Sequence, residues 1–393
     1  MNKLYIIVCD LEEVQYFSKG VETKLFNSPL YEHARRKIMD ASNKLGLDVR
    51  FVSAYVFSGK SSTYDIGASA QDKDIIAVVS PLVFLAPSKR IEDALSSIIN
   101  NEFTYATVGS AKDLYGVFGF GGMLSSGYEI GSCNDFITAV KDSGAVYNLR
   151  TFLETEKATP TSRMEYFKKI EEYRNELLDY FIMSGVDIEN RDGIILSPSC
   201  VVRTGAKILP NTQIYGNSLI KENSIIGPNT IISQCEIGEE CVLESCKISD
   251  STIGDDVVVK CYSSISNNCH IENGVLINSA CVIENSYIEE KSTIYSNAVI
   301  DEARIGKNAI VGPNVTAVKS VTEKKERKTY QCRIGANAVI GGNSTLITPV
   351  EIGENGLVAA GSVITDNVPS NHFAIAREFQ ENKTNAAKRR KRF

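Results

Sequence analysis

Residues 202–230 read VRTGAKILPNTQIYGNSLIKENSIIGPNT. Within them Val202, Ile208, Ile214, Ile220 and Ile226 place an aliphatic side chain at every sixth position. The beat resumes at Ile231 and Ile237. It continues through Ile248, Ile253, Val259, Ile265, Ile271, Ile277, Ile288, Ile294, Ile300 and Ile305, and after one interruption through Ile334, Ile340, Leu346, Ile352, Val358 and Ile364. A helix repeats at about 3.6 residues and a half-buried strand at about 2, so neither produces this period. A six-residue beat marks a parallel β-helix: each hexapeptide gives one short strand and one turn, and three close a coil. The aliphatic residue points inward and stacks on its equivalents in adjacent coils. Between the aliphatic positions stand Gly227-Pro228-Asn229, Gly254-Asp255-Asp256 and Gly335-Ala336-Asn337, residue types that tolerate tight, partly left-handed corners. At 18 residues per coil, the region 201–365 makes roughly nine coils.

Working outward, the segments ahead of the coil have another pattern. Residues 4–9 (LYIIVC) read as a buried strand, and 29–45 as an amphipathic helix with proline in its first turn. Residues 49–55, 75–80 and 103–108 read as strands and 91–99 as a helix. Strands alternating with helices, and apolar on both faces, indicate an α/β domain around a largely parallel sheet. Residues 165–184 form a charged amphipathic helix with Phe167, Ile170, Leu177, Phe181 and Ile182 on its apolar side. The expected organisation is an α/β domain over 1–160, a linker helix over 161–185, a β-helix over 186–370, and a C-terminal segment with a basic tail over 371–393.

The chain of 393 residues has 42 basic and 48 acidic side chains, a formal charge of −6. That balance argues against a general nucleic-acid binder. No apolar run is long enough to span a membrane, and the start does not read as a signal peptide, so a cytoplasmic protein is expected. The ten cysteines include no CxxC pair. Seven fall within the repeat (Cys235, Cys241, Cys246, Cys261, Cys269, Cys281 and Cys332) and read as reduced, small stacking side chains. With three histidines in the chain, no metal site is expected.

An α/β domain before a hexapeptide coil suggests sugar nucleotidyl transfer, which needs a glycine-rich loop after the first strand, a basic residue for the phosphates and acidic residues for Mg²⁺. Here that strand runs into Cys9-Asp10-Leu11-Glu12-Glu13-Val14, with no glycine before Gly20 and two carboxylates that would repel a triphosphate. The cluster Gly119-Phe120-Gly121-Gly122 comes too late in the chain and reads as a turn; Asp10 and Asp74 read as capping or solvated residues. Nucleotidyl transfer and a Mg²⁺ requirement are therefore not expected.

Several stretches carry a specific likeness. They are Met183-Ser184-Gly185-Val186, Ile225-Ile226-Gly227-Pro228-Asn229-Thr230, the run VIGGNSTLITPV over 339–350, the run VAAGSVIT over 358–365, and Ala374-Ile375-Ala376-Arg377 with Gln380. From about residue 164 onward the chain resembles the GlmU family, bacterial enzymes that acetylate glucosamine-1-phosphate and then uridylylate the product. The resemblance implies a left-handed β-helix, a homotrimer, acetyl-coenzyme A as donor and a small sugar as acceptor. It places Gly342, Ala360 and Arg377 at the coenzyme. The α/β domain resembles the family's nucleotidyltransferase domain in degenerate form.

The family's acetyl transfer uses a histidine base, and the stretches matching its sugar-holding residues lack them here. The loop after Val318 lacks the family's Asn-Tyr-Asp and carries Lys319, Lys324, Lys325, Arg327 and Lys328 instead. Lys325 is a candidate for the coenzyme's phosphates. His270, the only histidine of the coil, is the candidate general base, against an alternative as a solvated corner residue. His372 reads as a turn residue and His33 as helix surface. The leading expectation is a coenzyme A-dependent acyltransferase acting on an amino sugar or sugar phosphate. The alternatives are an inactive GlmU-like protein with a regulatory or structural role, and a sugar-1-phosphate nucleotidyltransferase.

Overall fold

A computed structural model describes residues 3–8, 24–25, 28–51, 74–100, 105–109, 114–120, 133, 136–138, 149–151, 162–318 and 332–377. The segment Cys9–Val14, residues 121–122, the basic loop with Lys325, Gln380 and the basic tail lie outside them. The chain divides into two compact units, one of Met1–Phe181 with Ile195–Cys200, the other of Ile182–Ile194 with Val201–Phe393.

The first unit is built on a six-stranded sheet. Its strands are β1 (Lys3–Val8), β4 (Asp48–Phe51), β5 (Ile75–Val79), β6 (Tyr105–Gly109), β7 (Leu114–Phe120) and β8 (Leu149–Thr151), in the order β4-β1-β5-β7-β6-β8. A small hairpin of β2 (Lys24–Leu25) and β3 (Ser28–Pro29) precedes the first helix. The sheet is mixed: β1 pairs in parallel with β4 and β5, and β6 with β8, but β7 runs antiparallel to both β5 and β6. Only residues 110–113 join β6 to β7, too few for the crossover that a parallel pair needs. The all-apolar strand β5 is buried at every position.

Helix α1 (Leu30–Lys44) begins after Pro29, whose fixed φ suits a helix start. It buries Leu30, Ala34, Ile38 and Ala41, one helical stripe, against Ile75, Ala77 and Val79 of the sheet and against α2 (Ser88–Ile99). Helix α3 (Arg163–Met183) buries Tyr173, Leu177, Leu178 and Phe181. Its expected apolar side is corrected in one respect: Phe167 is 51% exposed, and Tyr173 takes the buried role. His33, expected on the surface, is fully buried. Its Nε2 lies 2.7 Å from the Leu25 carbonyl and its Nδ1 3.0 Å from the Tyr173 hydroxyl. Beside it Lys37 pairs with Glu176. These polar groups tie α1 to α3, because buried donors and acceptors need partners.

The second unit is a left-handed parallel β-helix of hexapeptide repeats. Its strands form three faces. The first runs from Val201–Val202 through His270–Ile271 to Val350–Ile352; the second from Lys207–Ile208 through Leu276–Ile277 to Phe373–Ala374; the third from Gln213–Tyr215 through Ser264–Ser266 to Val363–Ile364. Each strand pairs in parallel with its equivalent in the next coil, as Thr252↔His270 and His270↔Tyr287 on the first face. The inward side chains are the aliphatic series of the sequence, with one correction: Ile232 is fully buried while Ile231 is 36% exposed. Because neighbouring strand residues point to opposite faces, only one of the two can be inward. Leu243, Ile283, Val311 and Ala317 belong to the same inward series.

Two further ladders hold the coils together. Two positions before each inward residue stands a small side chain that reaches the next coil. Ser224 Oγ donates to the Gly238 carbonyl at 2.8 Å and accepts from Cys241 N at 3.0 Å; Ser263 Oγ does the same with the Asn278 carbonyl and Cys281 N. Cysteines occupy the same ladder, with Cys241 Sγ 3.0 Å from the Gly254 carbonyl and Cys281 Sγ 3.2 Å from the Tyr295 carbonyl. The described cysteines are free thiols. Three positions after many inward residues the backbone turns left-handed, at Asn211, Asn223, Asn297, Asn308, Asn337 and Asn355 among others. Asparagine tolerates that conformation better than other non-glycine residues.

Candidate functional site

At the corner between the second and third faces, three successive coils present Gly341-Gly342-Asn343, Ala359-Ala360-Gly361 and Ile375-Ala376-Arg377. The backbone is bonded from coil to coil: Gly341 N donates to the Val358 carbonyl, Ala359 N to the Ala374 carbonyl and Gly361 N to the Gly342 carbonyl, each at 2.9 Å. At Gly341 and Gly342 the packing leaves no room for a larger side chain. A Cβ on Gly341 would lie 2.4 Å from Ala360 N, and one on Gly342 would lie 3.0 Å from the Pro313 ring. The result is an edge whose middle, Gly341-Gly342 and Ala359-Ala360-Gly361, carries no side chain larger than a methyl group. Arg377 closes it, its Nη1 donating to the Ala360 carbonyl at 2.9 Å while the rest of the exposed guanidinium faces outward. Such an edge can bind an extended amide chain through its backbone, and the guanidinium can pair with an anion. The structure thus brings together three of the sequence candidates, Gly342, Ala360 and Arg377. Lys325 lies outside the described residues.

His270 stands elsewhere, pointing outward from the first face. Its ring stacks on Tyr287 of the next coil, with centroids 4.8 Å apart and planes 25° apart. Arg304, one coil further, lies over the other side of Tyr287 at 5.0 Å and pairs with Glu289 at 2.6 Å. The Tyr287 hydroxyl donates to Glu272. That hydrogen bond, with partial burial and the carboxylate's charge, pushes the phenol up to about 12. From His270 the first face steps through Tyr287 and Arg304 to Arg333, whose coil contains Gly342. Three steps at ~4.8 Å put the imidazole about 14 Å along the axis from Gly342, and on a different edge. Within one chain His270 is therefore not beside the glycine-rich corner. His372 Nδ1 lies 2.8 Å from the Ser370 carbonyl, in the turn its sequence suggested.

A second concavity was not anticipated from the sequence. It opens where the third face turns into the first, over the early coils, with a volume of about 640 Å³. Asn217, Gln234, Asp250 and Asn268 line it from the corners, Thr252 and His270 from the face. A change of step accompanies it. Ile214 to Ile220 and Ile265 to Ile271 are six residues apart, but Ile232 to Ile237 and Ile248 to Ile253 are five. Two short corners thus lie between two full ones along this saddle. That signal is present in the sequence as a stumble in the beat. Among the described residues no group of three or more histidine, cysteine or acidic side chains is arranged to hold a metal, and no helix is long and apolar enough to cross a membrane.

A parallel coil of hexapeptides with a bare, glycine-rich corner is the architecture of the hexapeptide transferases. Residues 331–366 match the family model for bacterial transferase hexapeptide, six repeats. More particularly, the chain is similar to the bifunctional protein GlmU. It is 36% identical over 230 residues to that of Caldicellulosiruptor saccharolyticus, covering 58% of this chain and 49% of that one. It is 30% identical over 258 residues to that of Listeria welshimeri, covering 65% and 55%. The chain thus spans about half the length of the curated relatives it matches. Among solved structures, PerB from Caulobacter crescentus, in complex with CoA and GDP-perosamine, is 20% identical and covers 39% of this chain and 54% of that one, with a TM-score of 0.24.

Proposed function

We propose that this protein is a coenzyme A-dependent acyltransferase of the hexapeptide class, acting on an amino sugar or sugar phosphate, with acetyl-coenzyme A as donor. The observation that carries this reading is the corner of Gly342, Ala360 and Arg377, joined by the contact of Arg377 with the Ala360 carbonyl. The bare backbone edge suits the amide-bearing pantetheine arm, and Arg377 and Lys325 suit the coenzyme's phosphates. His270 serves as general base for the attacking amine. The axial offset of about 14 Å between it and Gly342 is of the order an extended pantetheine arm can bridge. The difference in edge calls for a neighbouring copy of the chain.

The second face supports a homotrimer. Its outward positions are Ile225, Val242, Val258, Leu276, Ile310, Val339, Leu357 and Phe373, interrupted after Lys207 only by Thr293. Ile225, Ile310, Leu357 and Phe373 are 38%, 38%, 42% and 60% exposed. A continuous apolar stripe of this kind marks an association surface, and the protein acts as a soluble cytoplasmic enzyme. The test is calorimetric titration of the full chain with acetyl-coenzyme A. Saturable binding at about one site per chain is expected; a blank titration with the oligomer intact overturns the reading.

A second reading, an inactive GlmU-like protein with a regulatory or structural role, is favoured by one observation. The His270 ring is occupied in a stack with Tyr287 and lies away from the corner. Binding of coenzyme without transfer to any amino sugar would favour it.

A further inference from the structure

The saddle over the early coils has a chemistry of its own. Three of its corner residues are primary amides, Asn217, Gln234 and Asn268, and the fourth is the carboxylate of Asp250. The corners are rigid. Gln234, Asp250 and Asn268 have left-handed backbone, and their amides are bonded to the preceding coil: Gln234 N to the Tyr215 carbonyl, Asp250 N to the Ser233 carbonyl and Asn268 N to the Asp250 carbonyl. The side-chain polar atoms of Asp250, Thr252, Asn268 and His270 make no hydrogen bond to other described residues. Two lining groups are already engaged: Gln234 Oε1 accepts from Asn217 N at 3.2 Å, and Glu236 pairs with Lys221 at 2.8 Å.

No lysine or arginine lines the saddle. A phosphate placed there would meet the Asp250 carboxylate, and Lys221 beside the lining Glu236 is already engaged in their ion pair. Amide, hydroxyl and carboxylate groups at fixed positions instead pair with the vicinal hydroxyls of a sugar ring, and Asp250 adds an acceptor for an ammonium group. The volume is of the size that holds a small ligand.

We infer that this saddle is a binding site for a phosphate-free amino sugar, held by Asp250, Thr252 and Asn268 with its amine toward the carboxylate and the imidazole. The inference deepens the acyltransferase reading and rests on it in one respect: His270, on the wall of the saddle, then receives the proton that the bound amine loses. Sugar binding by itself does not need that reading. The site narrows the acceptor to an amino sugar without a phosphate.

The test is an NMR titration of the full chain, without coenzyme, using glucosamine, N-acetylglucosamine and glucosamine-1-phosphate as probes. Glucosamine is expected to bind in the millimolar range and more tightly than its 1-phosphate. Asp250→Asn keeps a residue at ease in left-handed backbone and removes the charge. It should weaken glucosamine about tenfold and N-acetylglucosamine much less. Thr252→Val, which preserves shape, should weaken both sugars, and Arg377→Ala should change neither. Absence of glucosamine binding, preference for the phosphorylated sugar, or insensitivity to Asp250→Asn and Thr252→Val in a folded coil would overturn the site. Sugar binding beside a blank coenzyme titration keeps the site and removes the acyltransferase reading; coenzyme binding beside a blank sugar titration does the reverse.

Discussion

Arg377 reaches back one coil to hold the carbonyl of Ala360, its Nη1 at 2.9 Å from the oxygen. The contact fixes the guanidinium at the end of the glycine-rich corner and spends only part of its donor set. Replacing Arg377 by alanine should weaken acetyl-coenzyme A binding by about 10- to 100-fold, as for loss of one charge-assisted contact. The melting temperature should hold, because the side chain is exposed. Calorimetry on variant and parent, with thermal unfolding as control, measures both.

The outward apolar stripe of the second face sets up a separation of fold from assembly. Ile310→Lys together with Leu357→Glu alters exposed positions and leaves the inward stack untouched. Circular dichroism should keep the β-helix signal, while light scattering should report monomers in place of trimers. By contrast Ile265→Ala, at a fully buried rung, should cost about 2–5 kcal/mol in denaturant unfolding, because the coil cannot collapse around the cavity.

Burial of Lys37 against Tyr173 and Glu176 holds its ammonium below the usual 10.5, desolvation outweighing the attraction of Glu176. The unfolded chain then binds more protons at this residue than the folded one, between the lowered value and 10.5. Stability of the α/β unit should rise with pH across that window. Lys37→Met should remove this slope and cost little near neutrality, since Glu176 keeps its Ser88 hydrogen bond and reaches solvent. Urea midpoints measured from neutral to alkaline pH give the slope.

The buried thiols of the coil should be silent in the native state. Burial pushes Cys235 and Cys241 up to about 11 and Cys246 and Cys332 up to about 12. The reactive thiolate is therefore scarce at neutral pH. A colourimetric disulfide reagent should count few fast thiols in the folded chain, and should release the others at the rate of unfolding.

The coil was legible because its information is local. Each hexapeptide carries its own inward residue and corner, so Val202 to Ile226 alone announce the architecture. The pattern is ambiguous at Ile231 and Ile232, where two adjacent isoleucines both satisfy it and only the pleat decides between them. The same ambiguity hides the five-residue step from Ile232 to Ile237, whereas the step from Ile248 to Ile253 is plain in the sequence. His33 was misplaced for the opposite reason. Its partner Tyr173 lies 140 residues away, and nothing in the periodicity of α1 marks one polar position on its inner side as paired. Gly342, Ala360 and Arg377 were legible as a likeness of sequence. Their union at one corner, and the separation of His270 from them, needed the register of the coils.

Parallel pairing of identical coils makes position along the axis discrete. Equivalent positions on one face can differ only by whole steps of about 4.8 Å, and removing or adding one complete coil between His270 and Gly342 would shift their separation by one such step without disturbing either rung pattern. The axial separation of the two regions thus changes only in units of one coil. A lineage of such proteins can change it by duplicating or losing a single turn of chain, leaving both binding chemistries as they were.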